Sequence, residues 1–234
     1  MKFIISPSKT QKIKLNDTFD TSTPIFNKMA KTINTLLKKY DPLQLKSIFK
    51  VSDNIALMTY NNIQSFDTTK SGHAIFSYTG LVFKEIQANT LTYEQIRYLN
   101  DNLLILSAYY GVLKPLDLIK PYRLDYKTTI DDLDLASIWN DKINAYLDCD
   151  VIVNLASKEF SCRINKDMIH IEFKELRNNK FRVISTNAKM ARGKLVHMIA
   201  KNKIDTTHDL KRLEVHGYNF NDQLSEKFNY VFTK

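Results

Sequence analysis

The stretch Leu103-Leu104-Ile105-Leu106-Ser107-Ala108-Tyr109-Tyr110-Gly111 carries the fold assignment. Four successive aliphatic residues are too few for a helix and read as a buried strand. The next five read as the turn leaving it. Two other segments repeat this grammar. Residues 2–5 (KFII) run into Ser6-Pro7-Ser8-Lys9, and residues 151–153 (VIV) run into Asn154-Leu155-Ala156-Ser157. In open sheets, ligands sit beyond the carboxyl ends of strands, where neighbouring loops diverge. If the three strands are adjacent and parallel, their polar tips converge on one cleft. Taken singly, each tip is a turn or a helix cap.

Helical spacing fills the intervals. Phe26, Met29, Ile33, Leu36, Leu37 and Tyr40 recur on one face over 24–40, with Thr23 as the expected cap and Pro24 at the first helical position. Asp41-Pro42 breaks that helix and opens another over 42–50. Ser52 or Asp53 caps a third, through about residue 66. The spacing also predicts helices over 92–100 (capped by Thr92), 135–147, 187–202 and 206–213. Further strands are expected over 74–78 (AIFSY) and 230–232. A hairpin over 168–176 and 181–186 is expected to turn at Asn178-Asn179. No repeat or linker interrupts the pattern. The expectation is one mixed α/β (α+β) domain over 1–234, a mixed sheet flanked by helices.

The composition narrows the classes. With 234 residues, 44% hydrophobic, the chain is long enough for a sizeable core. Five Gly and five Pro exclude a collagenous or low-complexity chain. Apolar runs are too short for a membrane span, and the N-terminal apolar stretch is too short for a signal peptide. The two cysteines, Cys149 and Cys162, fit no zinc spacing and no disulfide framework, and the five His form no HxH or HxxxH pair. The reading is a reducing cytoplasm, buried thiols, and neither metal nor cofactor. Net charge is +9, which favours polyanionic partners. It is also segregated. Residues 131–150 hold six Asp against one Lys, whereas residues 158–203 hold twelve Lys or Arg against four Asp or Glu.

Ser6-x-x-Lys9 has the spacing of a serine nucleophile and a lysine base, but Pro7 and the strand context oppose that geometry. A phosphate contact by Lys9 fits better. Over 111–123, Lys114, Lys120 and Arg123 alternate with Pro115, Pro121 and Tyr122. That pattern suits a nucleic-acid surface or, equally, a loop laid over the core. On helix 187–202, Ala188, Ala191, Leu195, Met198 and Ile199 share a face, and Lys194, His197 and Lys201 form the expected solvated stripe. Arg192 falls about 60° from the centre of the apolar face on a wheel of 100° per residue. It must be paired or line a cleft. No carboxylate occurs between residues 176 and 204.

Several of these motifs resemble one family. They are Ile5-Ser6-Pro7-Ser8-Lys9-Thr10, Leu106-Ser107-x-x-Tyr110-Gly111-Val112-Leu113-Lys114-Pro115-Leu116-Asp117-Leu118-Ile119-x-Pro121-Tyr122-Arg123-Leu124, Asn154-Leu155-Ala156-Ser157-x-Glu159, Ala188-Lys189-x-Ala191-Arg192-Gly193 and Gly217-Tyr218-x-Phe220. Together, in this order, they resemble the YaaA family of bacterial peroxide-stress proteins. The resemblance implies a cytoplasmic protein that protects DNA or limits iron damage under peroxide stress. It also implies DNA binding, a family-specific mixed α/β fold with a basic cleft, and a helix-hairpin-helix, for which 53–66 is the best local candidate. The chain departs from the family at Thr79-Gly80-Leu81-Val82-Phe83, where the usual pattern is Lys-Gly-Asp-x-Tyr.

The expected function is a DNA-binding protein of the oxidative-stress response, contacting duplex or distorted DNA through phosphates without sequence preference. Lys9, Lys114, Arg123, Lys189, Arg192 and Lys194 are the expected contacts. Ser6, Ser8, Ser107, Tyr110, Gly111, Pro121, Tyr122, Asn154 and Ser157 are the expected cleft lining, with Tyr110 and Tyr122 shaping it or stacking. The rival reading is an enzyme acting on a nucleotide or nucleobase in the same cleft.

Overall fold

The computed structural model describes residues 1–130 and 133–234. The chain opens with strand β1 (Lys2–Ile5), followed by helices α1 (Asn27–Leu37), α2 (Pro42–Phe49) and α3 (Asp53–Gln64). A two-residue strand, β2 (Gly72–His73), precedes the short helices α4 (Ala74–Ser77) and α5 (Leu81–Ile86). Helix α6 (Tyr93–Asn102) then leads into β3 (Leu103–Ser107), β4 (Gly111–Leu113) and β5 (Leu118–Ile119). Helix α7 (Leu135–Tyr146), strand β6 (Ile152–Asn154) and the single turn α8 (Lys158–Ser161) come next. The hairpin of β7 (Ile169–Arg177) and β8 (Lys180–Arg182) is followed by α9 (Ser185–Asn202), α10 (Thr207–Lys211), β9 (Asn219–Phe220) and β10 (Asn229–Thr233).

One mixed sheet organises the domain, in the order β4-β3-β1-β6-β7-β10-β9, with β8 added to β7. The neighbours β3, β1, β6, β7 and β10 are all parallel, and antiparallel strands close the edges. Every residue of β3 is buried, as a strand covered on both faces must be. The expected adjacency of the three strands is therefore correct. Strand β1 lies in the middle, with Ile5 opposite Ile105 on one side and Ile4 opposite Asn154 on the other.

Local sequence explains the helix starts. Asp41 caps α2 and Thr92 caps α6, each in a reciprocal capping box with the Gln three residues on. The β7–β8 turn places Asn178 and Asn179 at φ 50° and 58°, the left-handed pair that a tight hairpin requires. Helix α1 begins at Asn27, three residues beyond the expected start. Pro24 sits in a preceding turn, its carbonyl accepting from the Asn27 amide at 3.0 Å.

Four expectations need correction. Residues 74–77 form a helical turn, not a strand. The segment is buried all round, so its apolar run carries no period that separates strand from helix. Residues 53–64 are one helix, so Leu57-Met58-Thr59 lies mid-helix and cannot be a hairpin. Helices α2 and α3 pack on each other across a turn at Lys50, which takes the left-handed conformation. His197 is not solvated. It is buried and bonds through Nδ1 to the Ile86 carbonyl at 2.9 Å, because α5 packs along that face of α9. The close approach rests on Gly193, where a Cβ would stand 2.1 Å from the Val82 carbonyl oxygen. Finally, Cys149 is half-buried and Cys162 exposed, and both are free thiols.

Among the described residues no helix is long and apolar enough to cross a membrane.

Candidate functional site

The tips of β1 and β6 meet beyond the sheet. The ladder continues past the strands, with the Leu155 amide donating to the Ile4 carbonyl at 2.9 Å. This brings Ser6 beside Ser157. The Ser157 amide donates to Ser6 Oγ at 2.8 Å, and the two hydroxyls lie 3.2 Å apart. Pro7 and Ser8 then turn the chain, and Ser8 Oγ accepts from the Thr10 amide at 3.2 Å. Gly80, at the start of α5, packs directly on this turn, and a Cβ there would lie 2.6 Å from Ser8 Oγ.

Between these elements and α9 lies a cavity of about 420 Å³. One wall is apolar, formed by Leu81, Val82, Phe83, Leu155 and Phe160. The hydroxyls of Ser6, Ser8 and Ser157 and the charged groups of Lys9, Lys189, Arg192, Asp125 and Glu159 supply the polar lining. Lys9 Nζ pairs with Asp125 at 2.7 Å, and Glu159 lies 3.8 Å from Lys127. Lys9 thus pairs with a carboxylate while its side chain stays largely exposed, and Ser6 bonds to Ser157. No nucleophile–base pair joins the two.

Arg192 answers the question its helical position raised. Its Nε is buried and has no hydrogen-bond partner, and it forms no ion pair among the described residues. Burial lowers its pKa, opposed by the nearby Glu172 charge. A guanidinium stays charged regardless. The side chain stands between the cavity and a neighbouring depression of about 640 Å³ over β6 and β7, where Lys158, Lys166, His170 and Glu172 also lie. Glu159 Oε1 is the second buried polar atom of the cavity without a partner.

The tip of β3 behaves differently. Ser107 is fully buried. Its Oγ accepts from the amides of Tyr109 and Tyr110 at 3.2 and 3.1 Å and bonds the Tyr122 hydroxyl at 2.9 Å. Tyr122 reaches Tyr78 hydroxyl to hydroxyl at 2.6 Å. Tyr110 accepts from the Lys120 amide at 3.0 Å, and Tyr109 donates to Asn34 at 2.9 Å. Burial raises these phenols, Tyr122 to about 12, so they remain neutral. Gly111 is buried against the Trp139 ring. Ser107, Tyr110, Gly111 and Tyr122 therefore belong to the core and not to the cleft lining, because the 111–126 segment folds over them.

The remaining expected residues divide. Lys9, Lys189 and Arg192 line the cavity with Ser6, Ser8 and Ser157. Arg123 is half-buried beside Pro7, Lys9 and Asp125. Asn154 is buried, accepts from the Ala156 amide at 2.8 Å, and faces the neighbouring depression beside His170 Nδ1 at 2.9 Å. Lys194 and Pro121 are half-buried and line neither space. Lys114 is at the opposite end of the sheet. It comes directly after the antiparallel strand β4 and shares a hollow with Lys2, Asp101 and Asp148.

Sequence reasoning did not assign roles to Asp125, Phe160 or Glu159, although Glu159 ends one of the family-like motifs. The departure at Thr79-Gly80-Leu81-Val82-Phe83 was the available signal for the apolar wall, since four of its residues line the cavity.

Comparison with known proteins identifies the family. Residues 1–224 match the family described as Peroxide stress protein YaaA. The chain is 37% identical to a UPF0246 protein of Rickettsia conorii and 36% identical to one of Rickettsia bellii, each over the full length of both chains. The chain belongs to the YaaA/UPF0246 family of peroxide-stress proteins.

Proposed function

We propose that this protein acts in the oxidative-stress response by binding DNA through the phosphate backbone at the mouth of the cleft formed by β1, β6 and α9. Lys189 and Arg192 are the principal contacts, with Lys9 and Arg123 beside them. Lys158 and Lys166 extend the basic surface over the neighbouring depression.

The observation that carries this reading is Arg192, whose half-buried side chain has a buried Nε and no carboxylate partner among the described residues, at the wall of a solvent-reaching cavity. Such a group is costly unless an anion satisfies it. Arg is suited to phosphate because its fork of donors is planar and permanently charged. Among the described residues nothing at the cleft resembles a helix presenting base-reading side chains, so sequence preference is expected to be weak.

The test is a mobility-shift titration of duplex DNA at several salt concentrations. Four phosphate contacts predict a slope of about −3.6 in log K against log salt. A flat salt response, or strong preference for one sequence, would refute backbone binding.

A further inference from the structure

We propose that the cavity itself accommodates a single nucleotide, its planar ring against the apolar wall and its phosphate on the cations at the mouth. This deepens the reading above and rests on the same cations.

The argument starts from size. A cavity of about 420 Å³ lies within the roughly 300–1,000 Å³ range of small-ligand sites and is far too small to admit a duplex. Whatever the mouth binds, only one small unit can enter. The lining then selects the chemistry. Leu81, Val82, Phe83, Leu155 and Phe160 offer an apolar surface to a ring, which a bare phosphate would not need. Within the same lining, and among the described residues, Arg192 Nε is a buried donor without an acceptor and Glu159 Oε1 a buried acceptor without a donor. Buried polar groups are almost always satisfied, so two orphans of opposite sense in one cavity call for a ligand that presents both an acceptor and a donor. A nucleobase edge does so, and an aliphatic phosphate does not. Lys189 and Lys9 are placed for the phosphate, Lys9 sharing its charge with Asp125.

The same chemistry has two sources, a free nucleoside monophosphate or a nucleotide turned out of a DNA strand. Extrusion costs least where the base is mismatched.

The test uses the full chain and fluorescent 2-aminopurine, first as the free 5′-monophosphate and then as one mismatched position in a duplex, with inorganic phosphate as the reference. The expected result is binding of the free monophosphate at least tenfold tighter than inorganic phosphate, or a change in 2-aminopurine fluorescence at the mismatch when the duplex is bound. A response to the free monophosphate alone assigns a small-molecule ligand, and a response in the duplex alone assigns an extruded base. Leu81→Trp adds bulk to the apolar wall of the cavity and changes no charge. It is expected to reduce probe binding at least tenfold and to leave a fully paired duplex bound as before. The proposal is overturned if the monophosphate binds no more tightly than inorganic phosphate and the fluorescence of the mismatched probe is unchanged on binding, a result that needs no variant. It is equally overturned if folded Leu81→Trp, checked by circular dichroism, binds the probes unchanged. Loss of duplex binding in the wild-type protein would refute backbone binding instead, leaving the monophosphate arm to stand by itself.

Discussion

Two strand tips with the same grammar meet opposite fates. Strand β3 ends in Ser107 and strand β1 runs into Ser6, each an aliphatic run giving way to a small polar cluster. Ser107 is sealed, its hydroxyl engaged by two amides and the Tyr122 phenol. Ser6 opens on a cavity, its hydroxyl bonded to the neighbouring tip at Ser157. The difference lies in the path of the chain beyond each strand. After β3 the chain doubles back as β4 and lays Tyr109, Tyr110, Tyr122 and Trp139 over the tip, all of them buried. After β1 and β6 the chain leaves the sheet in separate directions, and α9 supplies cations to the gap. A polar tip becomes a site only where no later segment covers it.

The sharpest way to break this contrast is to remove the cover. Tyr122→Ala is expected to cost about 3–5 kcal/mol of stability, the scale of deleting a large buried aromatic residue, measured by denaturant unfolding. The folded fraction should bind DNA as the wild type does. A loss of DNA affinity out of proportion to stability would return Tyr122 to the site.

Smaller effects sharpen the comparison. Gly193→Ala places a methyl group against the Val82 carbonyl and should cost about 1–3 kcal/mol by overpacking the α5–α9 contact. Ser107→Ala strands two buried amide donors and should cost about 1–3 kcal/mol, whereas Ser6→Ala, at a tip that water reaches, should cost less than about 1 kcal/mol. Equal costs would show that the two tips are equally enclosed.

Away from both tips, Glu175 gives a pH-dependent control. Its carboxylate accepts from Asn187 at 2.6 Å, Tyr218 at 2.8 Å and Arg177 at 2.9 Å, and these bonds, in that order of influence, lower its pKa to about 2. A depressed pKa means the ionised group stabilises the fold above its ordinary value of 4.5, and that this contribution is lost as pH falls towards about 2. The difference in melting temperature between wild type and Glu175→Gln should therefore shrink as pH drops through that window. A constant difference would show that the carboxylate charge is not what stabilises this corner.

Much of the framework was legible because it is local. The break at Asp41-Pro42, the Thr92 cap, the Asn178-Asn179 turn and the three buried strands rest on a few residues each. Arg192 was legible too, since a helical wheel needs only one element. What escaped depends on contacts between distant segments. His197 reads as solvated until α5, absent from the periodicity, is packed against it. The tyrosines near β3 have the composition of a stacking surface and the environment of a core. Lys114 has the chemistry of a phosphate contact, but β4 runs antiparallel to β3 and carries it to the end of the sheet away from the cavity.

That last pair supplies the decisive measurement. Arg192 and Lys114 are cations at opposite ends of the same sheet, and only one faces the cleft. Affinity for duplex DNA should be measured for Arg192→Ala and Lys114→Ala as a function of salt. Arg192→Ala is expected to weaken binding by about 1–3 kcal/mol, the scale of a charged hydrogen bond, and to flatten the salt slope by about one unit, with little loss of stability because no carboxylate is left unpaired. Lys114→Ala is expected to change neither quantity. A large drop in melting temperature for Arg192→Ala with unchanged affinity, or equal weakening by both variants, would contradict the placement of the site at the tips of β1 and β6.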